Sequence, residues 1–470
     1  MKKIFSLVAV LALSSGVLVG ETETFGFQGE KIGKLKPRLA KDIVGSSWTI
    51  GCEVLDRELA VFANYKDYLP SLGIKRIRLQ GGWARCEKEK GKYDFSWIDE
   101  PVDFALKNGM TVLLETSYGN PIYEGAGGWD LGAGFPKSEE GLKAWDNWVE
   151  AMAKHFKGRV TDWAMWNEPD LKHLGSKKSP KEIAEFNVRT AKIIKRIIPE
   201  AKIAALSLAH NDPKLLTECL ENMGEDTKLF HSVIYHGYSP NPDDSYAKVE
   251  DQKKVIAKIA PHLKLQQGEN GAPSSFCKAY ALKNIPWNEL SQAKWDVRRM
   301  LGDLGHDVDS SVFTIIDYTQ AKRPLNTKGL LSNTPEKKVG KAKKAYYAVQ
   351  NVAAIFDSTL KRVADAKIKV VGPKSSAAFM YDSPKGQVLT FWDASSRPSE
   401  DIRFVSGEVR YHGKAFINPV VINLLTGDIY KVAKGDVVRD NSWIVFKNLI
   451  IHDFPMVIAE ESMVDIEKLP

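Results

Sequence analysis

The sequence predicts a (β/α)8 TIM barrel with a C-terminal antiparallel β-sandwich domain. Three observations carry this. Short apolar runs of strand type alternate with longer segments of helical period between residues 43 and 356; such alternation implies a parallel sheet, and eight units imply a closed barrel. From about residue 366 the helical period stops and short runs separated by turn residues take over, which is the pattern of an antiparallel sandwich. The length of 470 residues exceeds what a single hydrophobic core usually supports. The expected division is a leader at 1–20, the barrel at 21–365 and the sandwich at 366–470.

In order, the expected barrel strands are 43–50, 75–79, 111–115, 160–166, 202–207, 232–236, 264–268 and 311–317. An amphipathic helix is expected over 58–72. A second over 98–108 is stopped by Gly109, a helix-ending residue. Leu142, Trp145, Trp148, Val149 and Met152 give 139–156 three-to-four spacing. Another helix starts at Ser179 or Pro180, with proline at a tolerated first-turn position. The segments 287–304 and 341–356 follow strands seven and eight. Beyond 366, strands are expected at 368–371, 377–381, 387–392, 420–423, 429–432, 443–446 and 456–459, divided by turns such as Ser383-Pro384-Lys385-Gly386.

The N-terminus reads as a signal peptide: Lys2 and Lys3, an apolar stretch 4–13, then small residues to about Gly20. Export to the periplasm or medium is expected, with no membrane span. The formal charge is +7, and 7 − 2 = +5 without Lys2 and Lys3. Both signs are interspersed, which reads as a solvated surface and argues against nucleic-acid binding. An acidic polysaccharide remains open as a substrate. Cys52, Cys86, Cys219 and Cys277 show no zinc spacing. In an oxidising compartment Cys52 and Cys86, which follow strands one and two, are the expected bridged pair. The alternative is four buried thiols. No metal or organic cofactor is expected.

The segment Trp163-Ala164-Met165-Trp166-Asn167-Glu168-Pro169-Asp170 puts a carboxylic acid among aromatics where a strand ends. Burial disfavours the charged form and raises a carboxyl pKa, as a general acid for glycosidic cleavage requires. A second strand-like run ends in Gln267-Gly268-Glu269-Asn270-Gly271, whose glycines permit a tight turn. The acids are 269 − 168 = 101 residues apart. At about 30 residues or more per unit, this is about three units. Glu168 and Glu269 are therefore expected to face each other from strands four and seven.

Trp166-Asn167-Glu168-Pro169, with a second Glu three strands on, resembles the clan A glycoside hydrolases, and within them glycoside hydrolase family 39 or an unassigned relative. The resemblance implies retaining enzymes on a (β/α)8 barrel, with Glu168 as acid/base and Glu269 as nucleophile. It implies that Asn167 bonds the sugar 2-hydroxyl, that Tyr238 donates to the nucleophile with His236 lining the site, and that Arg78 on strand two keeps the nucleophile ionised. Arg76 shares a face with Arg78 and is the alternative. Trp83, Asn120, Tyr123 and Trp129 are candidates for sugar contact, against ordinary loop packing. Strand eight ends Ile315-Ile316-Asp317-Tyr318 where clan members commonly carry a sugar-stacking Trp. Either Tyr318 substitutes or the sugar subsite is built differently. Glu87, Glu115 and Glu124 also lie near strand ends but lack the expected opposition.

The expected function is hydrolysis of β-glycosidic bonds of a poly- or oligosaccharide by double displacement. A non-catalytic carbohydrate-binding barrel and a transglycosylase using the same covalent intermediate are the alternatives.

Overall fold

A computed structural model describes residues 29–132, 134–171, 178–320 and 323–468. The expected leader lies outside them. Eight parallel strands form the barrel: β1 (Trp48–Gly51), β2 (Arg76–Gln80), β3 (Thr111–Glu115), β4 (Asp162–Ala164), β5 (Lys202–Leu208), β6 (Ser232–Tyr235), β7 (Lys264–Gln267) and β8 (Ser310–Val312). They pair in chain order from β1 to β7, and β8 pairs with β1. The ring closes between β7 and β8: the Gln267 N–H donates to Asp309 O at 2.8 Å, and the Asn270 N–H to Ser311 O at 3.1 Å. Leu113, Ala164, Ala204 and Ile234 from four successive strands form a small apolar cluster of their own, separate from the main core between sheet and helices.

Several elements are shorter than the sequence suggests. The expected helix 58–72 is two short pieces, Phe62–Tyr65 and Tyr68–Ser71. Pro70 has no N–H to bond to Lys66 O, and its ring crowds that carbonyl. The Leu69 N–H turns to Lys66 O instead, at 3.0 Å. Expected strand 160–166 pairs only over β4, because Met165 and Trp166 leave the ladder to bury their side chains. Trp166 packs edge-on to Phe135, Phe186 and Tyr118. Expected strand 311–317 ends at Val312. Helix Glu139–Phe156 matches its expectation and is capped by Ser138. Helix Pro180–Ile197 opens with a Ser179–Glu182 capping box, in which two otherwise unpaired helix-end donors are satisfied reciprocally.

The sandwich has an eight-stranded and a four-stranded antiparallel sheet. The expected division at 366 needs amending. Strand Lys31–Leu35, from before the barrel, pairs with Asp428–Lys431 on one side and Ile466–Lys468 on the other. Its backbone donors and acceptors are satisfied along both edges by these two sandwich strands.

Helix Glu289–Gly305 lies between barrel and sandwich and is buried along most of its length. Its cations are consequently paired inside. Lys294 Nζ lies 2.8 Å from Asp453 Oδ1. Arg298 pairs with Asp243 and donates to Ser396 O at 2.8 Å. Asp453 also accepts from the Ser399 N–H and hydroxyl, at 2.9 and 2.8 Å. The expected Cys52–Cys86 bridge does not form: all four cysteines are free and buried. Cys86 Sγ is engaged by Trp97 Nε1 at 3.1 Å, while Cys52 sits beside Tyr65. No helix among the described residues is long and apolar enough to cross a membrane.

Removing one partner of a buried ion pair leaves an uncompensated charge. Asp453→Ala is expected to cost about 3–5 kcal/mol, read as a lower denaturation midpoint in urea with the slope unchanged.

Candidate active site

Glu168 and Glu269 meet at the C-terminal mouth of the barrel. A carboxylate oxygen of each and a ring nitrogen of His236 all lie within 4.8 Å of one another. Both acids line a cleft of about 950 Å³ together with Tyr238, Phe313, Tyr318 and Lys328. Their side chains are 11% and 12% exposed, open enough to touch a ligand and closed enough to lose most of their hydration.

The backbone under Glu168 is constrained. Its φ is +49°, and Leu206 and Ser207 on β5 beside it have φ of +77° and +42°. This left-handed region is unfavourable for residues with a side chain and persists where the surroundings enforce it. The Glu168 N–H donates to Ser207 O at 2.9 Å. Asp170, two residues on, accepts from the Ala209 N–H at 2.7 Å and pairs with His210 Nδ1 at 2.7 Å. The loop after β4 is thus clamped to the end of β5. Glycine is required around Glu269: a Cβ on Gly268 would run into Ile234, and one on Gly271 into the Phe313 carbonyl.

His236 Nδ1 is 2.8 Å from Glu168 Oε1 and 3.9 Å from Glu269 Oε2. Tyr238 donates to Glu269 Oε1 at 3.0 Å. Arg78 Nη1 donates to Glu269 Oε2 at 2.9 Å. Arg76, the alternative, is spent lower in the barrel on Thr49 Oγ1 at 2.7 Å and Asp162. The donor atoms of Glu168, His236 and Glu269 are near enough for a shared cation. However, His236 already bonds Glu168, and a guanidinium already occupies the Glu269 oxygen, so the trio fits a hydrogen-bonded pair of acids better than an ion site.

These partners separate the two carboxyls electrostatically. Burial pushes Glu168 up, and the Glu269 charge adds to this against the hydrogen bond from His236. Burial would also raise Glu269, but the charges of His236 and Arg78, with hydrogen bonds from Arg78 and Tyr238, hold it below the ordinary range. His236 is itself raised: burial lowers it, and the two acids outweigh that.

Five expected ligand contacts do not line the cleft. Trp83 is fully buried, stacked on Trp148 and Tyr123; an indole with no exposed surface cannot meet a sugar. Tyr123 donates to Glu87 Oε1 and does not line the cleft. Asn120 is buried, with Nδ2 on Glu87 O at 2.8 Å and Oδ1 on the Ile122 N–H at 3.2 Å. Glu87 thus organises the loop that these residues belong to. Trp129 is exposed but is not among the residues lining the cleft. Asn167 is buried too: Oδ1 accepts from Arg78 Nη2 at 2.6 Å and Nδ2 donates to Tyr118 Oη at 3.0 Å. Tyr318 lines the cleft, its Oη taken by Asn326 Nδ2 at 3.0 Å. Because β8 ends at Val312, the aromatic directly after the strand is Phe313, edge-on to Tyr318.

Sequence reasoning missed Glu53, Phe313 and Lys328, and discounted Glu115. Arg78 Nη1 also donates to Glu53 Oε1 at 2.9 Å, and Nη2 to Glu115 Oε2 at 2.8 Å. Each acid stands at or just after the end of a barrel strand, which was the available signal. Lys328 is buried in the cleft wall, donating to Ala281 O at 2.7 Å. Burial takes its ammonium down to about 8.

Across 91% of this chain and 83% of the other, the structure superposes on a family 39 glycoside hydrolase from Bacteroides cellulosilyticus WH2, with a TM-score of 0.64 and 16% identity. The fold is the one seen in family 39. A monomeric beta-xylosidase from Caulobacter crescentus CB15 aligns over 91% of this chain and 97% of its own, with a TM-score of 0.57 and 17% identity. A family model described as beta-galactosidase (Glyco_hydro_42) matches residues 66–122, the stretch from before β2 to the loop after β3. Endo-1,4-beta-xylanase B of Thermotoga neapolitana is 33% identical over 88 residues, 18% of this chain and 24% of that protein. A beta-1,4-xylanase of Dictyoglomus thermophilum is 28% identical over 165 residues, 35% and 43% of the two chains. The chain thus spans less than half the length of these curated relatives.

Tyr238→Phe removes a hydrogen bond that favours the ionised form of Glu269, so the Glu269 carboxyl is expected to rise. A bond to a charged group is worth about 1.5–3 kcal/mol, so the midpoint should move upward by about one to two pH units, read by NMR titration of protein carrying ¹³C in its glutamate carboxyls.

Proposed function

We propose that this protein is a glycoside hydrolase that cleaves β-glycosidic bonds with retention of anomeric configuration. One observation carries the reading: two carboxyl groups with oxygens within 4.8 Å, one pushed up by burial and the other held below the ordinary range by His236, Arg78 and Tyr238. Retaining glycosidases hold their carboxyls about 5–5.5 Å apart, and inverting ones about 6.5–9.5 Å to admit a water between them. The relatives named above, a xylosidase and xylanases among them, support the same class of reaction.

Glu269, ionised under Arg78 and Tyr238, attacks the anomeric carbon as the glycosidic bond breaks. Glu168 gives its proton to the leaving oxygen. The product is a covalent glycosyl ester on Glu269, and Glu168 is now ionised. Loss of the Glu269 charge lowers the affinity of Glu168 for a proton, which suits its second role. It takes a proton from water, the resulting hydroxide attacks the anomeric carbon, and Glu269 leaves as a carboxylate. His236 keeps the Glu168 carboxyl oriented through both steps. Phe313 and Tyr318 line the cleft and give its wall apolar surface for a sugar.

Incubation with a panel of 2-fluoro-glycosides is expected to add the mass of one fluorosugar to the wild type and none to Glu269→Ala. The sugar that reacts identifies the subsite preference. Binding of glycans without any adduct or turnover would instead favour a carbohydrate-binding barrel.

Glu168→Gln is expected to slow cleavage of substrates with poor leaving groups by about 10²–10⁴-fold, the usual worth of general acid catalysis, and activated aryl glycosides much less. Equal loss on both would overturn the acid role. This is read from kcat/KM across a leaving-group series.

A further inference from the structure

Within the barrel mouth, Arg78 donates to three carboxylates: Glu53, Glu115 and Glu269. All are buried or nearly so, with side-chain exposures of 2%, 0% and 12%. Three ionised carboxylates around one guanidinium leave an excess of negative charge in a dry site. Such an arrangement relaxes by taking up a proton on one member.

The hydrogen bonds say which member. Glu115 accepts from Arg78 Nη2 at 2.8 Å, Gln80 Nε2 at 3.0 Å and Ser117 Oγ at 2.9 Å. Glu269 accepts from Arg78 Nη1 and from Tyr238 Oη, with His236 beside it. Glu53 accepts on Oε1 from Arg78 Nη1, which it shares with Glu269. Its Oε2 is buried without a partner among the described residues, folded back over Gly51, where any Cβ would collide with the carboxyl. Donors favour the ionised form of a carboxyl; Glu53 has only the Arg78 Nη1 it shares and its own backbone N–H, against two side-chain donors on Glu269 and three on Glu115. The other groups facing it are Cys52 on its own segment and Tyr65 on the helix Phe62–Tyr65; burial pushes both up, so they stay neutral. Arg78 is the cation acting on it.

We propose that Glu53 carries a proton on Oε2 in the working enzyme and serves as a positioning residue, holding Arg78 in place without competing for its charge. The guanidinium charge is then left to Glu115 and Glu269. This rests on Glu269 being the nucleophile, but the protonation of Glu53 is measurable without turnover. Burial, opposed by Arg78, places the Glu53 carboxyl up at about 7.

Infrared spectroscopy of protein with ¹³C in its glutamate side-chain carboxyls tests this. The label separates glutamates from aspartates such as Asp296, which burial also pushes well up. In a Glu168→Gln background at about pH 6, below the Glu53 value, a labelled carboxylic-acid band is expected that disappears when Glu53→Gln is added. Its persistence in the double variant would overturn the proposal. Should the double variant not fold, absence of the band from Glu168→Gln alone overturns it equally. The acid limb of the kcat/KM profile supplies a readout that mere structural support would not move. With Glu53 already neutral, that limb stays in place in Glu53→Gln. Removal of an ionised Glu53 would strengthen the hold of Arg78 on Glu269 and take the limb down by about one pH unit or more. An enzyme with the band but no 2-fluoro-glycoside adduct would count against the glycosidase reading and leave the proton assignment standing.

Discussion

A single buried guanidinium holds the mouth of this barrel together. Arg78 is 1% exposed, and a charge so placed is tolerated because both Nη atoms face carboxylates and a carboxamide oxygen. From its place on β2 it reaches partners at four other strand ends: Glu53 after β1, Glu115 on β3, Asn167 after β4 and Glu269 after β7. Each partner is fixed in angle as well as distance, because the guanidinium is planar with donors in a rigid fork. A lysine would supply the charge without the fork and could not face these partners at once. Where Glu269 and Asn167 stand is therefore largely decided by how Arg78 satisfies its donors.

The two acids in the cleft differ less in chemistry than in company. Both are glutamates, both are nearly buried, and burial pushes both upward. The difference is that Glu269 faces an arginine and a tyrosine, while Glu168 faces a histidine that is itself shared with Glu269. Environment alone thus moves one carboxyl up and the other down. The strained φ of Glu168 has the same logic. A residue held in an unfavourable region by Ser207 and Asp170 cannot drift toward its partner and erase the distinction.

Much of this was legible in the sequence. Alternation of strand-like and helical runs is long-range and repetitive, so eight units survived errors of several residues at individual ends. Asn167-Glu168-Pro169 and Gly268-Glu269 were visible because a carboxylic acid after a strand is placed by the fold itself. Arg78 followed from its position near the end of β2. What failed was orientation. Trp83, Asn120 and Tyr123 occur on loops at the right end of the barrel, yet all three turn inward onto Glu87 and one another. Nothing in the order of residues says which way a loop folds over. Glu53 was missed and Glu115 set aside for want of a facing acid: the burial of both makes sense only once Arg78 is seen between them. The break at Pro70 and the early end of β8 were local facts masked by a continuous apolar pattern.

Strand Lys31–Leu35 changes what kind of object the barrel is. The chain begins its described course within the sandwich sheet, leaves it to build all eight barrel strands, and returns to finish the same sheet. The barrel is in this sense an insertion into the sandwich rather than a domain with another appended. Its two ends are pinned side by side on one scaffold, which shortens the loop that must close when the ring forms. Dividing the chain near residue 365 would strip that scaffold of its interior strand Lys31–Leu35, and would open to water the face of Glu289–Gly305 that carries Lys294 and Arg298. The barrel and the sandwich thus share one sheet and one buried helix between them, and neither is complete without the other.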